Sequence, residues 1–231
     1  GITDTIEPWL TRPHRDAALE VTRKTIVLLK NVNNTLPLKT EKLHSIAVIG
    51  PLADSVLLDW YSGTPPYRVT PLEGIRNKAG NQVKVNFAPD NRFNRAAELA
   101  AASDVAIVVV GNHPTGNDDW LLCPVPSDGK EAVDRKVILL EQEALIQRVF
   151  EANPRTVVVL ISSFPFAVEW TKEHIPAIVH MTHCSQETGN ALADVLFGDY
   201  NPAGRLVQTW PRSDRQLPPM MDYDISRGRT Y

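Results

Sequence analysis

Apolar residues fall in runs of strand length, separated by stretches in which they recur every three or four positions. SIAVIG (45–50), VKVNFA (83–88), VAIVVVG (105–111), TVVVLIS (156–162), AIVHMT (177–182) and the shorter LVQT (206–209) each read as a strand. Three of them are nearly continuous Val/Ile, as expected of strands covered on both faces of a parallel sheet. Between them the spacing predicts helices. PLEGIRNKAG (71–80) opens with Pro71, suited to a first helical turn, and closes on Gly80. NRAAELAAAS (94–103) is rich in Ala, and TGNALADVLFG (188–198) stops at Gly198. LLEQEALIQRVFEAN (139–153) sets Leu139, Leu145, Ile146 and Val149 largely along one stripe before Asn-Pro ends it. A longer amphipathic stretch, HRDAALEVTRKTIVLLKN (14–31), precedes the first strand. This alternation predicts an α/β fold: a mostly parallel sheet of about six strands with helices on both faces, a three-layer α/β/α sandwich. No internal repeat interrupts it, and the Pro-rich stretches lead directly back into strands or helices. One domain is expected over 1–231, with residues 1–40 as linker and first helix.

In such a sheet ligands bind in the crevice beyond the carboxyl ends of the strands. Two loops leave those ends and are long, residues 50–70 with DWYSGTPPYRVT and residues 111–137 with SDGKEAVDRK. Loops beyond about 12–15 residues in a compact domain tend to be functional or disordered. Their prolines and the aromatics Trp60, Tyr61, Tyr67 and Trp120 argue for order.

Composition narrows the chemistry. Hydrophobic content of 43% and charged content of 22% are ordinary for a soluble domain. A net charge of -3 and a pI near 6.1 leave no reason to expect nucleic acid or an anionic membrane as partner. No apolar run approaches the ~20 residues of a membrane span, and no signal peptide is expected within these residues. Two cysteines, Cys123 and Cys184, are too few for a disulfide framework. The abrupt start and finish suggest a segment of a longer polypeptide.

Several chemistries lose ground at once. The turn VIGPLADS lacks both GxGxxG and GxxxxGK[ST], so no backbone cradle for phosphate is expected. HMTHC contains His180, His183 and Cys184, but His180 and His183 on or just after a strand point to opposite faces, and no zinc spacing is present. No metal and no cofactor are expected. LISSFPF lacks a GxSxG elbow, and Ser162 and Ser163 read as the end of a strand. The carboxylates remain: Asp118, Asp119, Asp128, Glu131 and Asp134, all in one long loop. Two readings stand. The loop is a solvated acidic surface with Lys130, Arg135 and Lys136 as counter-ions, or it carries an acid for glycoside hydrolysis. The second requires a partner carboxylate across the scissile bond, and this chain offers no obvious nucleophile at a matching strand end.

TRKTIVLLKNVNNTLPL (22–38), IAVIGPLAD (46–54), YSGTPPYRVTPLEGI (61–75), EAVDR (131–135), ALADVLFGDYNPAGRLVQTWP (191–211) and LPPMMDYDISRGRTY (217–231) together resemble the C-terminal α/β sandwich domain of glycoside hydrolase family 3, in the family's order and over nearly the whole chain. YSGTPP and LPPMMDYDI look most like the β-xylosidase branch, with much shared by bacterial β-glucosidases. One departure is that the family's frequent Pro-Gly-Gln-Glu stretch appears here as HCSQETGN. The resemblance implies a retaining exo-glycosidase working in two halves. An N-terminal barrel, absent from this chain, brings an Asp nucleophile and the main sugar subsite, and this domain brings the general acid/base carboxylate. It places that role on Glu131, with Asp128 as nearest rival and Asp118 and Asp119 behind. Asp134 and Arg135 then anchor the loop, and Trp60 and Tyr61 offer a flat face to the aglycone sugar or fill a domain interface. The implied partners are the barrel and a β-linked oligosaccharide, in a periplasmic or secreted rather than cytoplasmic setting. The competing class is a non-catalytic carbohydrate-binding or docking module with Trp60 and Tyr61 as its platform.

Overall fold

The structure is a computed structural model and describes residues 7–58, 63–112, 126–127, 129, 133–183, 185–219 and 221–227. Five parallel strands, β2 (Ser45–Ile49), β3 (Lys84–Ala88), β4 (Val105–Gly111), β5 (Thr156–Ile161) and β6 (Ala177–Met181), lie in one sheet with an antiparallel edge strand, β1 (Val27–Asn31). The order is β1-β6-β5-β4-β2-β3. Alternate residues of the central strands feed two separate cores. Ile46, Val48, Ile107, Val109, Val157 and Val159 pack on one face against α2 (Pro71–Ala79) and α6 (Thr188–Phe197), with α1 (Arg12–Thr25) beside α6. Ala47, Ile49, Val108, Val110, Val158 and Leu160 pack on the other against α3 (Arg95–Ala101), α4 (Glu143–Ala152) and α5 (Glu169–His174). Every residue of β4 and β5 is buried, which explains why these runs lack polar alternation.

The expected three layers are present, but two elements differ from expectation. The stretch 14–31 is not one helix: α1 ends at Thr25, Ile26 turns extended, and Val27–Asn31 becomes β1. Consecutive Leu28 and Leu29 pack into opposite cores, a division that strand alternation produces and a helix stripe does not. The run of Ile26, Val27, Leu28 and Leu29 gains more as a strand against the otherwise open edge of β6 than as another helical turn. Conversely, 206–209 is not a strand. β1 already occupies that edge, and Val207 is 81% exposed. Two smaller differences concern helices. The one expected from Leu139 starts at Glu143, because Leu139 bridges Ala167 instead. The six-residue α5 was not anticipated; at that length periodicity carries little signal.

A small carboxylate network locks the first face. Asp194 of α6, 7% exposed, accepts from Arg23 Nε of α1 at 2.8 Å and from Lys78 Nζ of α2 at 2.9 Å. Lys78 also pairs with Asp199. One carboxylate therefore ties together the three helices of that layer.

Candidate functional site

Glycines at positive φ mark the exits of both strands, Gly50 at +121° directly after β2 and Gly111 at +140° at the end of β4. A Cβ at Gly50 would sit 2.2 Å from the Val109 carbonyl oxygen, and one at Gly111 1.9 Å from that of Ile161. Only glycine lets the chain turn off the sheet so close to its neighbour. The two long loops leave from these points, at the carboxyl ends of adjacent strands.

The second loop is closed at its base. Asn112, 5% exposed, donates its Nδ2 to the Ser127 carbonyl at 3.1 Å. Ser127, 1% exposed, donates its backbone N–H to Glu141 Oε1 at 3.2 Å, and its hydroxyl bonds the same carboxylate. Arg135 reaches Ser127 O with Nε at 2.9 Å and grips Pro165 O with both terminal nitrogens at 3.1 and 3.0 Å. Its guanidinium lies 3.9 Å from the centroid of Phe164 and 5.1 Å from that of Phe166. Lys136 N–H donates to Pro126 O at 2.8 Å. The segment that returns from the loop is thereby sewn to the strand end it left. A planar guanidinium suits this task, since one side chain bonds two carbonyls while stacking on an aromatic face. Asp134 is exposed at the surface beside it.

The first loop is fastened where it enters α2. Thr70 caps that helix in a capping box with Glu73, at 3.2 and 2.8 Å, and its hydroxyl donates to Asp54 Oδ1 at 2.9 Å. Val69 exchanges backbone bonds with Gln186 and Gly189, both 2.9 Å. Beneath it lies a polar knot that periodicity did not reveal. Glu187, 2% exposed, accepts from the Tyr67 hydroxyl and, at 2.6 Å, from Asn190 Nδ2, while Arg15 of α1 stacks 4.4 Å over the Tyr67 ring. Burial, and the bond to Glu187, hold the Tyr67 phenol above its usual range, so it remains a donor. The sequence signal for Glu187 was its place one residue before the first turn of α6, inside HCSQETGN.

Just past the ends of β5 and β6 stand Ser163 and His183. The Ser163 hydroxyl, exposed, pairs with Nδ1 of the buried His183, joining the ends of β5 and β6. Ser162 is buried and donates to Phe164 O at 2.9 Å. His180 turns away to the second core, with Nδ1 3.1 Å from Leu160 O and its ring edge-on to Trp210 at 5.0 Å. Among the described residues no three His, Cys, Asp or Glu side chains gather as a metal ion would need. Trp60, Tyr61, Asp118, Asp119, Trp120, Cys123, Asp128, Glu131 and Cys184 lie outside the described residues. What is described is the frame around them: the residues that bracket Asp128 and Glu131 belong to the pinned base of the second loop.

Desolvation depresses the His180 pKa below 6.5, against the smaller opposing effect of the Leu160 carbonyl. The folded state therefore holds His180 neutral while the unfolded chain protonates it near 6.5. Stability from this group is complete above that pH and is lost as pH falls below it. Urea unfolding should show a positive slope of stability against pH, with stability falling as pH drops from 7 towards 5, the direction set by this proton. His180→Gln should flatten that slope, and an unchanged slope would reassign it to other groups.

Residues 26–231 match the family model described as the Glycosyl hydrolase family 3 C-terminal domain. A β-xylosidase of Formosa agariphila is 36% identical over 233 residues, covering 94% of this chain and 31% of its own. A periplasmic β-glucosidase of Salmonella typhimurium is 34% identical over 257 residues, covering 96% of this chain and 31% of its own. Among solved structures, the β-D-glucoside glucohydrolase of Trichoderma reesei superimposes with a TM-score of 0.79 at 29% identity, over 94% of this chain and 34% of that one. The chain spans about a third of the length of these relatives.

Proposed function

The chain belongs to glycosyl hydrolase family 3 as its C-terminal domain, and from that premise we propose that it carries the proton donor of a retaining exo-β-glycosidase. The attacking carboxylate and the sugar subsite come from an N-terminal barrel of the same polypeptide. Glu131 is the general acid/base, with Asp128 as the rival position, and the substrates are β-linked xylosides or glucosides. Trp60 and Tyr61 face the aglycone. The Salmonella relative, a periplasmic enzyme by name, supports a periplasmic or secreted setting.

One observation carries this reading. The loop that contains Glu131 springs from β4, in the middle of the sheet, and its base is held by Asn112, Ser127, Glu141 and Arg135. A donor must meet its nucleophile at a carboxyl separation of about 5–5.5 Å for retention, so the segment that carries it needs a fixed origin even where its tip closes on another domain. An acid kept protonated near neutral pH also needs partial burial or a negative neighbour, and docking against the barrel supplies both. The acid protonates the departing glycosidic oxygen as the barrel's carboxylate attacks C1. It then removes the proton from the water that releases the sugar.

The 231-residue chain alone should hydrolyse neither aryl β-xylosides nor aryl β-glucosides, since a proton donor without nucleophile or sugar subsite lacks most of the transition-state stabilisation. Turnover by the purified chain above a Glu131→Gln control would refute the division of labour. Calorimetric titration with xylo-oligosaccharides gives the second arm. Silence is expected of half a site, whereas tight saturable binding would favour a carbohydrate-binding module.

A further inference from the structure

A cavity of about 270 Å³ opens at the sheet edge where β1 runs antiparallel to β6. It exists because α5 is a single short helix, and β1 extends the sheet beyond the reach of that cover. The segment after α6 crosses the gap without filling it, leaving Leu206 39% exposed. Leu29, Ile178 and Phe166 form an apolar floor, and Trp210 forms a wall. That wall is held in place: the Trp210 indole packs edge-on to His180. A preset aromatic surface loses little freedom when a ligand arrives.

The rim is charged and unbalanced. Lys30, Lys172 and Arg212 line the cavity with one carboxylate, Glu169, a difference of 3 − 1 = +2 among the lining side chains, and Lys30 Nζ donates to the Lys172 and Glu173 carbonyls. Glu169 stands 3.5 Å from Lys172 and 3.9 Å from Arg212. Those separations exceed the roughly 2.7–2.9 Å of a full charge-assisted hydrogen bond, so both cations keep donor capacity for an incoming anion. A neutral apolar ligand would leave these donors unused, and a free sugar would face a floor with almost nothing to bond its hydroxyls. An apolar cavity of roughly 150 Å³ is enough for benzene, so the space here takes a six-membered ring with a short side chain.

We propose that this cavity binds a small aromatic carboxylate, its ring over Leu29, Ile178 and Phe166 against Trp210, and its carboxylate at Arg212 and Lys172. The inference stands independently of the glycosidase reading. Its test uses the 231-residue chain and trans-cinnamate as probe, followed by calorimetry and saturation-transfer NMR. Saturable binding in the millimolar range or tighter is expected from a ligand of this size. Cinnamyl alcohol, with the ring but no charge, should bind about fivefold or more weakly, and acetate not measurably. Arg212→Glu should weaken cinnamate by about tenfold and leave the alcohol unaffected. Trp210→Ala should abolish both. Because Trp210 also packs against the core, Arg212→Glu, at an exposed position, decides the matter if that variant does not fold. No saturation at tenfold above the millimolar range, equal affinity for acid and alcohol, or an unchanged Arg212→Glu would each overturn the proposal.

Discussion

In a polypeptide that joins this chain to the proposed N-terminal barrel, Glu131→Gln should slow cleavage of an unactivated β-linked disaccharide by about 10²–10⁴-fold, the range of a lost general acid, if Glu131 holds the proposed role. The size follows from the leaving group. A sugar alkoxide is too basic to depart unprotonated, whereas dinitrophenolate needs no proton. A dinitrophenyl β-xyloside should therefore lose little in its first step. Its second step still lacks a base for water, so the glycosyl intermediate should accumulate and KM should fall with kcat. Azide needs no base: it attacks C1, the barrel carboxylate leaves, and a β-glycosyl azide forms. Adding azide to Glu131→Gly should thus restore turnover and yield that product. If azide rescues Asp128→Gly and not Glu131→Gly, the acid is Asp128. If neither variant slows the disaccharide, the proton comes from outside this loop.

The second large effect is on stability. Asp194→Ala removes the one carboxylate shared by Arg23 and Lys78, leaving Lys78 with Asp199 and Arg23 without its ion-pair partner, each cation about a third exposed at the junction of α1, α2 and α6. Breaking a buried pair at one partner costs about 3–5 kcal/mol, and the partial exposure of the two cations favours the lower end. For a chain of this length a loss of about 3 kcal/mol lowers Tm by roughly 6–12 °C. Calorimetric melting of the 231-residue chain measures it. Arg23→Met in the Asp194→Ala background should recover part of the loss, because the unpaired cation is then gone. A shift within 2 °C, or no recovery in the double variant, would show that the network contributes little.

Much of the architecture was legible before any coordinates. The Val/Ile runs of β4 and β5 announced strands buried on both faces, and Pro71 and Gly198 marked real helix ends. The points where the chain leaves the sheet, Gly50 after β2 and Gly111 at the end of β4, were also placed correctly. The errors arose where local pattern and long-range pairing compete. VLLKN continues a plausible helical stripe, yet it pairs with β6, more than 140 residues away. LVQT looks like a strand, but β1 already pairs with β6 and Val207 stays exposed. The polar residues at the crest were legible only in part. Arg135 stood out within a charge run, but Ser127, Glu141 and Glu187 are ordinary residues in sequence and acquire meaning from what they touch.

The order of apolar and polar residues was sufficient to specify a layered α/β sandwich with two long loops at one end, because burial of a strand or helix face is written in a period of two or of 3.6 residues. Spatial closure required the folded chain. Whether Arg135 reaches Pro165, whether Asp194 meets Arg23 and Lys78, and whether β1 pairs with β6 all depend on residues 30 to more than 170 positions apart. No local period encodes such meetings; they arise from packing elements against one sheet, which brings distant side chains into the same few ångströms.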